Sequence, residues 1–173
     1  ITSRLVGSEM CIRDRSGNTL VLFNYVERHG MPLFELINSK VGDNRKVFLV
    51  HGGIDTEDRE LARQIAETTT DSIIVASYGT FSTGINIRNL HNVVFASPSK
   101  SKIRNLQSIG RVLRKGEHKT KATLYDIADD MSKGRNNNYT LNHLVERVKI
   151  YNEENFDYEL SLIHISEPTR RLV

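Results

Sequence analysis

Five short apolar runs divide this chain and constrain its fold. Within each run, apolar side chains follow one another without the polar alternation of a half-exposed strand. Such runs are typical of strands covered on both faces. Because helical patterns lie between several of them, the sequence predicts an α/β fold: a parallel sheet sandwiched between helices, with ligand loops at its carboxyl edge. The runs are TLVLF from Thr19, KVFLV from Lys46, IIVAS from Ile73, NVVFA from Asn92 and ATLYDI from Ala122.

Two helices are expected between the first three runs. Residues 25–39 predict a helix in which Pro32 marks either a kink or a later start. A second helix is expected to have Asp55 or Thr56 as its N-cap. The apolar positions are Leu33, Leu36 and Ile37 in the first helix and Leu61, Ala62 and Ile65 in the second.

A further helix is expected after the last run. Thr140 is a plausible N-cap, and the following apolar residues recur at helical spacing. This helix is expected to pack against the sheet, elsewhere on its own domain, or on another lobe of a larger protein. Its apolar positions are Leu141, Leu144, Val145, Val148 and Tyr151.

Residues 107–114, QSIGRVLR, combine a glutamine, a glycine and two arginines in the pattern Q-x-x-G-R-x-x-R. If this segment is helical, Arg111 and Arg114 share a face and can reach one anionic target together. A nucleotide phosphate is the natural target, because an arginine stabilises the charge of phosphoryl transfer. The alternative is a solvated basic helix.

Residues 72–97 predict a strand, a loop rich in Ser, Thr and Gly, and a second strand. In the loop, Gly79 and Gly84 allow the backbone to approach a ligand closely. Ser82, Thr83 and Asn86 offer short polar groups suited to phosphate and ribose oxygens. The alternative is a plain loop between secondary-structure elements.

Together with VLFNYVERHG from Val21 and FLVHGGIDTEDRE from Phe48, these segments resemble the C-terminal RecA-like lobe of superfamily 2 helicases, closest to the phage UvsW type. The resemblance runs from about residue 19 to 158. The strand before Asn24 corresponds to motif IV, residues 82–86 (STGIN) to motif V, and residues 107–114 to motif VI. Motif VI matches at its four defining positions, whereas Asn86 stands where many relatives have aspartate.

The resemblance implies a role for each matching residue. Arg114 is expected to contact the γ-phosphate of ATP, Arg111 to support it and Gln107 to orient the motif. Gly84, Asn86 and Gly110 are expected at the nucleotide, and Gly84 with Thr83 to couple it to DNA. The residues expected at the nucleic acid are Asn24, His51, Gly52, Ser82, Thr83, Lys100 and Lys102.

The chain lacks a G-x-x-x-x-G-K-S/T loop and an acidic D-E-x-H or D-E-x-D box. In superfamily 2 enzymes these elements belong to the N-terminal RecA-like lobe, which holds ATP with Mg²⁺ against the second lobe. The resemblance therefore implies part of an ATP-dependent DNA helicase or translocase that acts in recombination, branch migration, fork remodelling or repair. Its DNA partner is a single strand, a fork or a junction, and this chain alone is expected to be inactive.

Two other hypotheses remain. One is a stand-alone nucleic-acid-binding module of the same fold without ATPase activity. The other is a doubly wound mononucleotide-binding domain unrelated to helicases, which motif VI argues against. A phosphate-binding loop upstream in the complete gene would separate the first alternative from the helicase.

Both ends of the chain resemble sequence that is foreign to the protein. Residues 5–15 and 160–170 can be encoded by opposite strands of one DNA, in the manner of a translated sequencing adapter. We therefore expect residues 1–15 and 160–173 to be non-native and residues 16–159 to form one helicase domain. Cys11 lies in the foreign head, so the expected domain has no cysteine, which fits the cytoplasm of a cell, the bacterial host if a phage encodes the protein.

Charge is concentrated in one stretch of the chain. The 24 basic and 21 acidic side chains fall to 19 and 18 when both ends are excluded. Residues 100–121 contain eight basic side chains and a single acidic one, Glu117. Such a stretch is either a solvated face or a contact for ATP and a nucleic-acid backbone. The apolar runs are strand length, so no membrane span is expected.

Several residues have plain structural explanations. His51 follows a strand without a second histidine at ligand spacing, which favours a turn over a metal site. Asp126, with Asp129 and Asp130, is expected to cap a helix or pair with the basic stretch. Tyr25 and Phe81 are candidates either for stacking on bases or for the core.

Overall fold

A computed structural model describes residues 16–42, 45–84, 87, 89–97, 101, 110, 122–128 and 138–160. Its strands are β1 (Thr19–Phe23), β2 (Lys46–Val50), β3 (Ser72–Ser77), β4 (Asn92–Phe95) and β5 (Thr123–Asp126). They form one five-stranded sheet in the order β2-β3-β1-β4-β5. Every neighbouring pair is parallel, as the uninterrupted apolar runs predicted.

Strand β1 forms the centre of the sheet and is buried along its whole length. Its Leu20 lies opposite Ile74 of β3 and Val93 of β4. Because side chains alternate along a strand, Leu20 and Leu22 enter one core cluster, and Val21 and Phe23 enter the cluster on the opposite face. Burying each of these large side chains stabilises the fold by about 1.5–3 kcal/mol.

Helix α1 (Met31–Val41) begins later than residue 25, because Pro32 occupies its first turn. The preceding residues form a π-helical turn, Val26–Gly30. Leu33 and Ile37 of α1 are fully buried against the sheet face that carries Val21 and Phe23, and Leu36 is half-buried.

Helix α2 (Thr56–Thr68) covers the opposite face with two small residues, Ala62 and Ala66. Asp55 is its N-cap residue, although its side chain makes no capping hydrogen bond. The prediction that Leu61 belongs to the buried stripe is wrong, since this side chain is 55% exposed. Ala62 and Ala66, four residues apart, allow the helix to approach the sheet closely, which turns Leu61 outward.

Asn18 connects three segments at the amino edge of the sheet: the end of helix α2, the loop before β3 and the loop before β4. It is fully buried, and its Nδ2 donates to the carbonyl oxygens of Ala66, Thr69 and Asn89 at 2.7–2.8 Å. Its Oδ1 accepts from both the backbone N–H and the hydroxyl of Ser72. The side chain therefore satisfies polar groups that precede β3 and β4 and those of Ser72 at the start of β3.

Helix α4 (Tyr139–Glu153) follows β5, with helix α3 (Tyr78–Gly84) lying earlier in the chain, between β3 and β4. The N-cap of α4 is Asn138, whose side chain accepts from the Leu141 N–H, so the prediction of Thr140 as the cap is wrong. The Thr140 hydroxyl instead donates to Asn138 Oδ1 at 2.6 Å. The asparagine already occupies the capping position one residue before the helix.

The α4 helix packs on its own domain, which was one of the predicted alternatives, and a contact with another lobe stays a prediction. Tyr151 belongs to the core cluster of the α2 face, and Val148 packs against it. Val145 is 54% exposed, so its place in the apolar stripe was predicted wrongly. In the part of the chain that the structure describes, no helix has the length and apolar character needed to cross a bilayer.

Candidate functional site

The loops that follow β1 and β4 are tied together at the carboxyl edge of the sheet. Asn24 is exposed, and its Nδ2 donates to the carbonyl oxygen of Ser97 at 2.7 Å. The Ser97 hydroxyl lies 2.8 Å from Nδ1 of His29. Because β1 and β4 are adjacent and parallel, these polar groups share the edge where ligands bind in open α/β sheets. Asn24 thus lies at the expected edge, and its contact with nucleic acid stays a prediction.

His51 and Gly52 lie at the same edge, after β2. His51 Nδ1 accepts from the Gly53 N–H at 3.1 Å, and the His51 carbonyl accepts from the Ile54 N–H. The imidazole therefore closes a turn, as the sequence favoured. No cluster of three or more His, Cys, Asp or Glu side chains suited to a metal ion lies among the residues described.

Gly52 brings the β2 loop close to the beginning of α3. A Cβ atom on Gly52 would lie 3.9 Å from the Thr80 hydroxyl oxygen, in ordinary van der Waals contact. Gly52 itself is exposed. Since β2, β3 and β1 are successive neighbours in the sheet, the residues after all three face the same side of the domain.

The segment after β3 was expected to be a loop, and this prediction is wrong for residues 78–84, which form helix α3. The Ser77 hydroxyl accepts from the Thr80 N–H and donates to the Thr80 hydroxyl, which supports the first turn. Tyr78 and Phe81 turn inward and are almost fully buried. Residues three apart share a face of a helix, which lets both aromatic side chains enter the core.

This helix changes the interpretation of the predicted site residues within it. Ser82, Thr83 and Gly84 form its last turn rather than an open loop. Phe81 is 1% exposed and packs in the core, which excludes the alternative that this ring stacks on a base. Tyr25, by contrast, is 63% exposed.

Of the remaining predicted site residues, only Gly110 lies in the part of the chain that the structure describes. Of residues 107–114, the structure describes only Gly110, which is exposed. Its place at the nucleotide stays a prediction. The predicted residues outside the described ranges are Asn86, Lys100, Lys102, Gln107, Arg111 and Arg114.

Asp126 at the end of β5 has a partner that sequence analysis missed. Its carboxylate accepts two hydrogen bonds from the Arg147 guanidinium, from Nε at 2.6 Å and from Nη2 at 2.8 Å, and a third from the Tyr151 hydroxyl at 2.7 Å. The prediction that Asp126 caps a helix or pairs with the basic stretch is therefore wrong. Arg147 is fully buried in α4, where one turn of helix places it beside Tyr151.

Burial, reinforced by the negative charge of Asp126, raises the pKa of the Tyr151 phenol. The phenol therefore remains a hydrogen-bond donor to the carboxylate. Asp129 and Asp130 lie outside the described residues. The spacing of Arg147 and Tyr151, four residues apart on an otherwise mixed helix, is the one sequence signal that points to this arrangement.

Comparison with models of protein families matches residues 4–116 of this chain to the helicase conserved C-terminal domain. The chain belongs to this family. The match begins inside residues 1–15, so the domain boundary at residue 16 stays a prediction. The membership agrees with the motif pattern that suggested a superfamily 2 helicase.

One relative illustrates the similarity both in sequence and in structure. The ATP-dependent DNA helicase uvsW of Enterobacteria phage T4 is 41% identical over 164 residues, which cover 89% of this chain and 32% of that protein. The crystal structure of T4 UvsW superimposes with a TM-score of 0.69 at 38% identity, covering 90% of this chain and 33% of the other. This chain therefore spans about a third of the length of this relative.

A more distant solved structure shows the fold alone. Domain 2 of the DEAD-box helicase Mss116p, bound to an RNA duplex, matches with a TM-score of 0.65 at 16% identity. The match covers 92% of this chain and 60% of that one. The predicted RecA-like fold of a helicase C-terminal lobe is thereby confirmed.

Proposed function

We propose that this chain is the second lobe of an ATP-dependent superfamily 2 DNA helicase or translocase. The observation that carries the proposal is its 41% identity to the ATP-dependent DNA helicase uvsW over 164 residues. The polar groups after β1, β2 and β4 at one sheet edge support it, because this edge is where such folds bind ligands. The setting is recombination, branch migration, fork remodelling or repair in the cytoplasm of a bacterial host.

In this proposal, motif VI acts on ATP that is held with Mg²⁺ mainly by an N-terminal lobe. Bound ATP supplies the phosphoryl group whose transfer to water drives movement. Arg114 stabilises the charge that develops on the γ-phosphate, Arg111 supports it, and Gln107 orients both. Backbone at Gly84 and Gly110 and the amide of Asn86 complete the nucleotide contact.

The nucleic-acid track runs over the carboxyl edge of the sheet. Asn24, His51 and Gly52 lie there, after β1 and β2. Ser82 and Thr83 contribute from the last turn of α3, and Lys100 and Lys102 contact phosphates. The bound partner is DNA as a single strand, a fork or a junction.

We propose residues 16–159 as the natural domain. The Ser16 carbonyl accepts from Asn92 Nδ2 at 2.9 Å, and the Gly17 N–H donates to Asp71, so the hydrogen-bonded structure of the sheet includes these first residues. Residues 1–15 and 160–173 then contribute nothing to the activity.

Steady-state ATP turnover with DNA tests the two-lobe proposal. We expect no turnover from this chain alone, and DNA-stimulated turnover when it is joined to a first lobe that carries the phosphate-binding loop. Turnover by the chain alone that survives Arg114→Ala would contradict the proposal. A joined protein that binds DNA without hydrolysing ATP would instead favour the stand-alone binding module.

A further inference from the structure

A rigid turn follows the central strand at the carboxyl edge. The Tyr25 carbonyl accepts hydrogen bonds from the N–H groups of His29 and Gly30, both at 3.0 Å, which closes a π-helical turn. Gly30 is buried against the ring of Phe23, where an added Cβ would lie only 2.5 Å from ring atoms. The turn therefore packs closely on the end of β1, and π-helical turns of this kind occur frequently at functional sites.

This turn presents an exposed aromatic side chain. The Tyr25 ring is 63% exposed, yet it contacts the His29 ring edge to face, with centroids 5.5 Å apart and planes at 74°. His29 is held in turn by the Ser97 hydroxyl. Asn24 holds the Ser97 backbone. The loops after two adjacent strands thus fix the position of a large, solvent-facing ring.

We propose that Tyr25 is a stacking platform for a base of single-stranded DNA, an inference that rests on the proposed function. A ring that is already positioned loses little conformational freedom when a base stacks on it. Stacking on an aromatic side chain is tolerant of sequence, because every base has a π-face, which suits a protein that moves along DNA. The platform adds a contact to the bases, beside the phosphate contacts of the basic stretch.

A base contact and a phosphate contact respond differently to salt. Phosphate contacts release counterions and weaken steeply as salt rises, whereas stacking involves no counterion. Loss of the Tyr25 ring should therefore lower affinity equally at low and high salt. A lysine that contacts phosphate should instead change the salt slope.

The test measures binding of the full 173-residue chain to a fluorescent oligothymidylate by anisotropy at several salt concentrations. We expect Tyr25→Ala to weaken binding by roughly 5- to 150-fold without changing the salt slope, and Tyr25→Phe to bind as the parent does. Tyr139, 68% exposed at the start of α4, provides the matched control, since Tyr139→Ala should leave binding unchanged.

An abasic oligonucleotide of the same length separates bases from backbone. The parent chain should bind it as weakly as Tyr25→Ala does, and the Tyr25→Ala effect should disappear on it. Equal effects of Tyr25→Ala and Tyr139→Ala, or an equal Tyr25→Ala loss on the abasic strand, would overturn the platform while leaving the proposed function intact. No binding to either strand by the parent would overturn both.

Discussion

Replacing the buried Arg147 should destabilise this chain more than replacing any surface cation. The guanidinium is fully buried and donates two short hydrogen bonds to Asp126, whose side chain is 9% exposed. Arg147→Met keeps much of the aliphatic volume but removes the positive charge. The Asp126 carboxylate then remains buried with the Tyr151 hydroxyl as its hydrogen-bond donor.

The expected loss follows from the burial of the pair. Removing one partner of a buried ion pair costs about 3–5 kcal/mol, because the other charge is left without compensation. A domain of this size is stable by about 5–15 kcal/mol, so the variant should fold but unfold at markedly lower urea. Adding Asp126→Asn removes the stranded charge, and the double variant should recover about 1–3 kcal/mol.

Urea unfolding followed by circular dichroism measures both variants. The midpoint should fall while the slope m stays constant, since the surface exposed on unfolding hardly changes. Lys149→Met is the control on the same helix: its pair with Glu146 is exposed on both sides and should change stability by no more than about 0.5–1 kcal/mol. If Arg147→Met is no more destabilising than Lys149→Met, this ion pair does not stabilise the packing of α4 against β5.

Four further perturbations test other parts of the fold. Burial raises the pKa of Tyr151. The stability that the protonated phenol contributes is therefore present below about pH 10 and is lost as the pH rises further. Urea midpoints between pH 9 and 11 should fall less steeply in Tyr151→Phe than in the parent. Removing residues 1–15 and 160–173 should leave the melting temperature nearly unchanged, and a large drop would show that one end packs on the domain. Asn18→Leu should lower the melting temperature strongly, since five hydrogen bonds are lost. Gly30→Ala should destabilise by about 1–3 kcal/mol, because the new methyl group meets a buried ring, and an unchanged urea midpoint would show that the turn can shift.

The sheet was predictable because its signal is local. Continuous apolar runs such as TLVLF at Thr19 indicate strands buried on both faces, and β1 is buried throughout. Helix α3 was missed because its apolar positions, Tyr78 and Phe81, are too few to show a period among Ser, Thr and Gly. Its first turn depends on hydrogen bonds of Ser77, which no periodicity reveals.

The buried polar groups were not predictable from pattern. A charged residue within a helix is normally exposed, so the four-residue spacing of Arg147 and Tyr151 was too weak a signal to predict the contact with Asp126, 21 positions earlier in the chain. Asn18 likewise makes these hydrogen bonds only when the end of α2 and the loops before β3 and β4 meet around it. Of the predicted ligand residues, Asn24, His51 and Gly52 lie at the carboxyl edge of the sheet, as the order of parallel strands predicts, and their contacts with ligand stay predictions.

The central claim is that motif VI acts on ATP rather than on DNA. Its most direct test is ATP turnover and DNA affinity in a protein that joins this chain to its first lobe. Arg114→Ala should lower DNA-stimulated turnover by up to ~10³–10⁵ while leaving DNA affinity within a few-fold. Lys100→Ala should instead weaken DNA binding and reduce its salt slope by about one unit, with turnover restored at saturating DNA. If Arg114→Ala weakens DNA binding in that salt-dependent manner and leaves saturated turnover unchanged, motif VI is a DNA-binding surface and the account is contradicted.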